Sequence, residues 1–181
     1  DVERVLWVGS AGLAEALAAR SSMGRCGCGG PALVVVGSAS ATSRSQLQKA
    51  ASEGLVAVIV VDTAQALLRR EKELERACAQ AVERLEDGKS VALASSLEER
   101  QWETSREAAA SLAISMEEAS ERIAAFLADL AFSVLSKSRA SGLFLTGGDI
   151  AVRVFGRLGA RGAALLREIE PGIPLTTLLG G

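Results

Sequence analysis

Three short stretches rich in glycine, serine and threonine each follow an apolar, strand-like run, and their residue types suit phosphate binding. They are residues 8–13, 36–43 and 145–150. Glycine allows backbone N–H groups to come close to a bound group, and the N-terminus of a following helix favours negative charge there. Ligands of open parallel sheets bind beyond the carboxyl ends of the strands. Three such stretches in one sheet would therefore converge and together bind a polyphosphate.

Each stretch also has a purely structural interpretation, because Gly-Gly and Gly-Ser turns between a strand and a helix are common and usually only turn the chain. None of the three is a Walker A loop, and the chain has no Gly-x-Gly-x-x-Gly dinucleotide pattern. Binding is favoured over simple turns by the expected position of all three stretches at the same end of one sheet.

Strands and helices alternate along the chain and would position these stretches. Five apolar runs suit strands that are covered on both faces, as in parallel sheets. Between them the periodicity is helical, most clearly over residues 116–137, and a charge-dense helix is predicted over residues 65–85. We therefore predict an α/β fold with three α/β/α layers and a mainly parallel sheet. The strand-like runs are residues 4–9, 32–37, 55–62, 91–95 and 142–147.

Capping signals of the Ser-x-x-Glu or Ser-x-x-Gln kind predict three helix starts, at Ser43, Ser96 and Ser115. A further helix is predicted over about residues 149–158. Residues 21–31 and 97–112 show no clear pattern, and the C-terminal residues are interpreted as a loop.

Composition limits the classes of function. The chain has 181 residues, enough for one domain, and it is 49% hydrophobic but only 3% aromatic. A formal net charge of -2 and the lack of a basic stripe argue against nucleic acid as a partner. No apolar run is long enough to span a bilayer, so we expect a soluble, cytoplasmic protein with no membrane partner. The chain has no histidine, so Cys26, Cys28 and Cys78 cannot complete a zinc site without carboxylates, and we expect them to be reduced thiols with no bound metal.

Four blocks in order resemble the C-terminal half of the four-carbon acid sugar kinases. They are residues 6–14, residues 34–40 with Thr42 and Gln46, residues 143–149 and residues 168–175, and the resemblance covers nearly the whole chain. The resemblance implies a two-domain enzyme in which an N-terminal domain holds the acid sugar and the C-terminal domain holds ATP. Residues 1–181 would then be the nucleotide-binding domain of a longer protein, inactive by itself, with the substrate in the tetronate or 3-oxo-tetronate class and a homodimer as one possible assembly.

The resemblance also implies which residues contact ATP. Two departures from the family pattern bear on the site: Ile150 stands where relatives commonly have threonine or serine, and the chain stops at Gly181, before a glycine-rich segment that helps to close the pocket in relatives. The implied nucleotide contacts are Ser38 and Ser40, with Gly147, Gly148, Asp149 and Ile150 along the phosphates.

Asp149 is the acidic residue of the third stretch, and two roles for it are compatible. It could contact Mg²⁺ or a phosphate-bound water, since phosphoryl transfer uses Mg²⁺ and a carboxylate often orients the metal. It could also be the N-cap of the following helix. The general base for the sugar hydroxyl is expected on the other domain, so no catalytic residue is assigned here. Two alternatives stay open: a non-catalytic nucleotide- or anion-binding module, and an α/β domain whose glycine-rich stretches are only turns.

Overall fold

The computed structural model describes residues 5–8, 30–37, 40–95, 100–170 and 173–180. These residues build a seven-stranded sheet with six helices assigned among them. The strands are β1 (Val5–Val8), β2 (Ala32–Val36), β3 (Ala57–Val60), β4 (Val91–Ala94), β5 (Gly142–Thr146), β6 (Gly162–Glu170) and β7 (Ile173–Leu179). The helices are α1 (Ala41–Ser52), α2 (Thr63–Leu68), α3 (Arg70–Glu86), α4 (Arg100–Ser111), α5 (Met116–Lys137) and α6 (Gly148–Arg157).

The sheet has the strand order β3-β4-β2-β5-β1-β7-β6. The first five of these strands are parallel to one another, whereas β7 runs antiparallel to both β1 and β6. All five strand-like runs of the sequence are therefore strands, and the prediction of a mainly parallel α/β sheet is confirmed. Strands β2 and β4 are buried along their whole length, as expected for strands covered by helices on both faces.

Two separate hydrophobic clusters cover the two faces of the sheet. Leu33, Val35 and Leu145 belong to the larger cluster, which contains side chains of α3, α5 and α6. Val34 and Phe144, next to them in sequence, belong to the smaller cluster with residues of α1. Because successive side chains of a strand point to opposite faces, each strand contributes to both layers of core. This gives the three-layer α/β/α arrangement.

The charge-dense helix predicted over residues 65–85 is in fact two helices, so that prediction is corrected. Arg69 separates α2 from α3, with φ −142° and ψ 57°, which is not a helical conformation. Just beyond the break, the buried Glu73 carboxylate accepts hydrogen bonds from the backbone N–H of Asp62, at 2.8 Å, and from Arg76 Nε, at 2.7 Å. The bond with Asp62 joins the start of α3 to the residues that follow β3, and the bond with Arg76 lies within α3.

The C-terminal residues interpreted as a loop form the antiparallel β6–β7 hairpin, which is a second correction. Strand β7 buries Ile173 and Leu175, whereas β6 lies at the edge of the sheet with Leu165 and Leu166 more than half exposed. The register shifts twice between the two strands, near Leu165 and near Glu168. An exposed edge strand with irregular pairing lacks the continuous apolar pattern of the central strands.

Two of the capping predictions can be compared with described residues. Ser115 is the N-cap of α5 and its side chain accepts a hydrogen bond from the N–H of Glu118, as predicted. The N-cap of α1 is Ser40 rather than Ser43, because Ser40 Oγ accepts from the N–H of Ser43, at 3.1 Å, and so the helix starts one turn earlier. The signal at Ser96 lies outside the described residues. The weakly patterned region after it contains α4.

Candidate functional site

The candidate site lies where the carboxyl ends of β2 and β5 meet. The two strands are neighbours in parallel register, with Val36 paired to Thr146, and the N–H of Gly37 donates to the carbonyl oxygen of Thr146 at 3.3 Å. The helix that follows β2 is α1, in the smaller hydrophobic cluster, and the helix that follows β5 is α6, in the larger one. Neighbouring strands whose connections leave to opposite faces form a crevice, and ligands of open α/β sheets bind in such crevices.

Helix α6 presents its N-terminus at this crevice. Its N-cap is Gly147, at φ +100°, and no described side chain makes a capping hydrogen bond to it. The first turn of a helix has N–H groups without partners inside the helix, and together with the helix dipole they attract anions. Because Gly147 has no side chain, only its backbone limits how closely an anion can approach these N–H groups. The third glycine-rich stretch therefore has the geometry expected of a phosphate site.

The structure defines the backbone of this loop and corrects one expectation for it. Gly147 adopts the positive φ that favours glycine, whereas Gly148 does not. Asp149 lies in the first turn of α6 and is not its N-cap, which leaves its exposed carboxylate available for other contacts. A β-carbon added at Gly148 would have no heavy atom of the described residues within 4 Å. Gly148 is exposed, so neither the backbone conformation nor internal packing requires glycine there.

Ile150 is a core residue and does not lie open to the crevice. Its side chain is only 2% exposed and belongs to the larger hydrophobic cluster. It packs so closely over the end of β2 that a β-carbon at Gly37 would lie 2.7 Å from Ile150 Cβ. Contact of Ile150 with phosphate stays a prediction, and it concerns the backbone N–H in the first turn of α6 rather than the buried side chain. The resemblance implies a hydroxyl at this position, and the isoleucine side chain has none.

Of the two serines that were expected to contact nucleotide, Ser40 is described and Ser38 lies outside the described residues. Ser40 Oγ caps α1 and also donates to Ser43 Oγ, at 2.9 Å. The hydroxyl is thus held at the N-terminus of α1, on the opposite side of the crevice from α6. The first glycine-rich stretch, from residue 9 onward, also lies outside the described residues.

Thr146 is a residue of this site that the sequence reasoning did not single out. It is the last residue of β5 and is 3% exposed. Its Oγ1 is buried and has no hydrogen-bond partner, the one such side-chain atom found among the described residues. The sequence signal was its position directly before Gly147, at the end of an apolar strand. What the sequence could not show is that the hydroxyl would be left without a partner.

A Gly-Lys-Ser tripeptide does occur in the chain, at residues 88–90, but the structure places it at the wrong end of the sheet for a Walker A loop. It precedes β4 rather than following a strand, and Glu83 stands where the pattern requires its first glycine. Ser90 Oγ instead accepts a hydrogen bond from the N–H of Ala32, at 3.1 Å, at the amino end of β2. The tripeptide is therefore not part of the candidate site.

Charged side chains fix the helices behind the site. Asp129 of α5 forms ion pairs with Arg70 of α3 and with Arg157 at the end of α6. The Arg70 guanidinium also lies over the ring of Phe126, 5.3 Å from its centroid. These contacts join three helices and hold the C-terminal end of α6, whose N-terminus faces the crevice. Elsewhere, the hydrogen bond that the Arg76 guanidinium donates to the Glu73 carboxylate raises the pKa of Arg76, which burial by itself would lower.

The described part of the chain contains no group of three or more Cys, Asp or Glu side chains placed to hold a metal ion. Cys78 is buried and free, and burial raises the pKa of its thiol although Lys137 lowers it. Cys26 and Cys28 lie outside the described residues. None of the described helices is both long enough and apolar enough to cross a membrane.

Comparison with known proteins identifies the family. A family model described as the nucleotide-binding C-terminal domain matches residues 33–181. The chain belongs to this family. It is 33% identical over 178 residues to a D-threonate kinase of Salmonella typhimurium, and 32% identical over 160 residues to a D-erythronate kinase of Heliobacterium modesticaldum. The resemblance to the four-carbon acid sugar kinases is thus confirmed, and this chain corresponds to their C-terminal nucleotide-binding domain.

The matches cover the chain far more completely than they cover the relatives. They include 96% and 86% of this chain but only 41% and 36% of the two kinases. A solved structure, a domain of unknown function from Bordetella bronchiseptica, is 27% identical with a TM-score of 0.58 and covers 84% of this chain and 34% of that one. That protein was crystallised with bound citrate as a domain-swapped dimer. The chain therefore spans about two fifths or less of these proteins' length.

Proposed function

We propose that this chain is the ATP-binding domain of a kinase that phosphorylates a four-carbon acid sugar of the tetronate or 3-oxo-tetronate class. The observation that carries the proposal is the N-terminus of α6, which presents first-turn N–H groups beside Gly147 and Gly148 in the crevice between β2 and β5. A crevice of this geometry in a family of nucleotide-binding domains is suited to the polyphosphate of ATP. The names of the two kinase relatives support the class of substrate.

The residues of the site have separate tasks in this proposal. The N–H groups of Gly148, Asp149 and Ile150 bind phosphate oxygens, and the open position of Gly148 allows the phosphates to come close. Ser38 is proposed to contact the nucleotide as well, and Ser40 would do so from the α1 side while also keeping that helix capped. Positioning of this kind is most of what a protein contributes to phosphoryl transfer.

Mg²⁺ fits the proposed site through Asp149. Proteins commonly hold Mg²⁺ with one or two carboxylates together with substrate phosphates, rather than with a complete set of protein ligands. The exposed Asp149 carboxylate, beside the N–H groups that would bind the phosphates, provides one such ligand, directly or through a water molecule. The ion would neutralise phosphate charge during transfer. The carboxylate would orient the ion against the first turn of α6.

The acid sugar is proposed to bind mainly to a second domain outside residues 1–181, which also supplies the general base. Two measurements test this. Calorimetric titration of the chain should show ATP binding, whereas incubation with ATP, Mg²⁺ and D-threonate or D-erythronate should give no phosphorylated product. Adding the other domain should restore turnover. No ATP binding would overturn the proposed function, and turnover by the chain alone would overturn the division of labour between the domains.

A further inference from the structure

The buried hydroxyl of Thr146 has a cost in free energy that nothing in the described structure offsets. A buried polar group without a hydrogen bond lacks the partner that water gave it in the unfolded chain, and valine of the same shape would not carry this penalty. Buried hydroxyls without partners are uncommon in folded proteins, and each one calls for an explanation, such as a role in catalysis or a bound water or ion. A threonine that is 3% exposed with a free Oγ1 therefore points to a missing partner.

The position of Thr146 restricts what that partner is. Thr146 pairs with Val36, the last residue of β2, and is followed at once by Gly147, the N-cap of α6. It alternates with Leu145, which belongs to the α6 side of the sheet, so its side chain belongs to the α1 side, like that of Phe144. The hydroxyl thus lies at the floor of the crevice, and the first turn of α6 lies on the opposite side of the same strand end.

We propose that Thr146 Oγ1 donates a hydrogen bond to a phosphate group of the bound nucleotide and so positions the polyphosphate against α6. This rests on the proposed function. A phosphate bound by α6 N–H groups from one side would receive the Thr146 hydroxyl from the other, which fixes the phosphate in two directions. Oxygens of a phosphate are the strongest acceptors that the ligand offers, and a hydrogen bond to a charged group is stronger than one between neutral groups. Thr146 is in this account a phosphate-binding residue that glycine-rich patterns do not reveal.

The variants Thr146→Val and Thr146→Ser separate a binding role from a structural one. Valine keeps the shape and removes the hydroxyl, so the ligand-free variant should melt higher than the wild type, by about 2–4 °C for each kcal/mol of penalty removed. The same variant should bind ATP about tenfold or more weakly. Serine keeps the hydroxyl and should bind ATP within about threefold of the wild type. A hydroxyl that only stabilised the fold would produce the opposite pattern in the first variant: lower melting temperature and unchanged affinity.

Titration with ATP, ADP, AMP, adenosine and inorganic phosphate identifies the group that the hydroxyl contacts. The proposal expects Thr146→Val to weaken ATP and ADP by similar factors and to leave adenosine unchanged. Weakening of adenosine by the same factor as ATP would overturn the phosphate assignment. Equal ATP affinity in the wild type and in Thr146→Val would overturn the role of the residue while leaving the proposed function intact. Absence of ATP binding in the wild type would instead overturn the proposed function itself.

Discussion

A β-carbon on Gly37 would lie 2.7 Å from Cβ of Ile150, closer than two such carbons can approach. The first turn of α6 is thus pressed against the end of β2, and the absence of a side chain at Gly37 sets how near the two can come. Gly37 does not require a positive φ, so its role here is one of space. The same contact explains why Ile150 is a packing residue in a loop that otherwise suits phosphate.

Gly37→Ala should destabilise the fold. The added methyl group meets Ile150 Cβ, which is fixed to the backbone of α6, so either the helix or the strand end must shift. Overpacking of this kind costs about 1–3 kcal/mol. Urea unfolding measures this loss of unfolding free energy. Gly148→Ala is the matched control, because no described heavy atom is within 4 Å of the added carbon, and its free energy of unfolding should be unchanged or slightly higher. Equal stability of Gly37→Ala and wild type would show that the helix moves freely.

Gly147→Ala should lower stability for a different reason. Gly147 lies at φ +100°, a conformation that side chains rarely adopt, and the substitution should cost about 1–3 kcal/mol of backbone strain. Thermal unfolding compared with Gly148→Ala, one residue further along, checks this. Equal melting temperatures for the two variants would contradict the positive φ of Gly147.

Ser40 is expected to cap α1 and to contact ATP, and variants that remove or keep a capping oxygen test both roles. Ser40→Ala removes the cap of α1 and should cost about 1 kcal/mol of unfolding free energy, whereas Ser40→Asn keeps a capping oxygen and should cost less. Ser115→Ala removes an equivalent cap from α5 and serves as the control. ATP affinity should fall in Ser40→Ala but not in Ser115→Ala. An equal affinity in both variants would restrict Ser40 to capping.

The buried thiol of Cys78 should make the unfolding free energy of the protein depend on pH. Burial raises the pKa of its thiol in the folded protein, so the folded state favours the protonated form. The stability gained from this is complete below the unfolded pKa of about 8.5 and is lost as pH rises through the folded value. The unfolding free energy of the wild type should therefore fall more steeply above about pH 9 than that of Cys78→Ala. If the unfolding free energies of the two proteins fell in parallel with pH, the raised pKa of the Cys78 thiol would be contradicted.

The five parallel strands could be predicted because burial on both faces leaves a continuous apolar run that few other structures produce. The hairpin of β6 and β7 could not, since residues 162–168 are mostly exposed or half-exposed and so show no core pattern. The break at Arg69 has no glycine or proline to mark it, and the hydrogen bond from Asp62 to the buried Glu73 that accompanies it reaches back across the whole of α2. Both failures come from tertiary contacts that override local signals.

The candidate site shows the same division. The second and third glycine-rich stretches follow β2 and β5, and their closeness could be predicted because these strands are parallel neighbours in the sheet. That they bind phosphate stays a prediction. The conformation and packing inside the loop could not be predicted: the positive φ falls on Gly147, and the Ile150 side chain packs inward against Gly37. The free hydroxyl of Thr146 is invisible in the sequence, since only the folded surroundings determine whether a threonine finds a partner.

Calorimetric titration of Gly148→Val with ATP tests the central claim most directly. Gly148 has ordinary backbone conformation and open surroundings among the described residues, so the variant should fold with nearly wild-type stability. Asp149→Asn, measured with and without Mg²⁺, is its companion, because it removes charge beside the same N–H groups. We predict that Gly148→Val weakens ATP binding about tenfold or more in a well-folded protein, and that Asp149→Asn weakens mainly the Mg²⁺-dependent part. Unchanged ATP affinity in both folded variants would contradict a phosphate site at the N-terminus of α6.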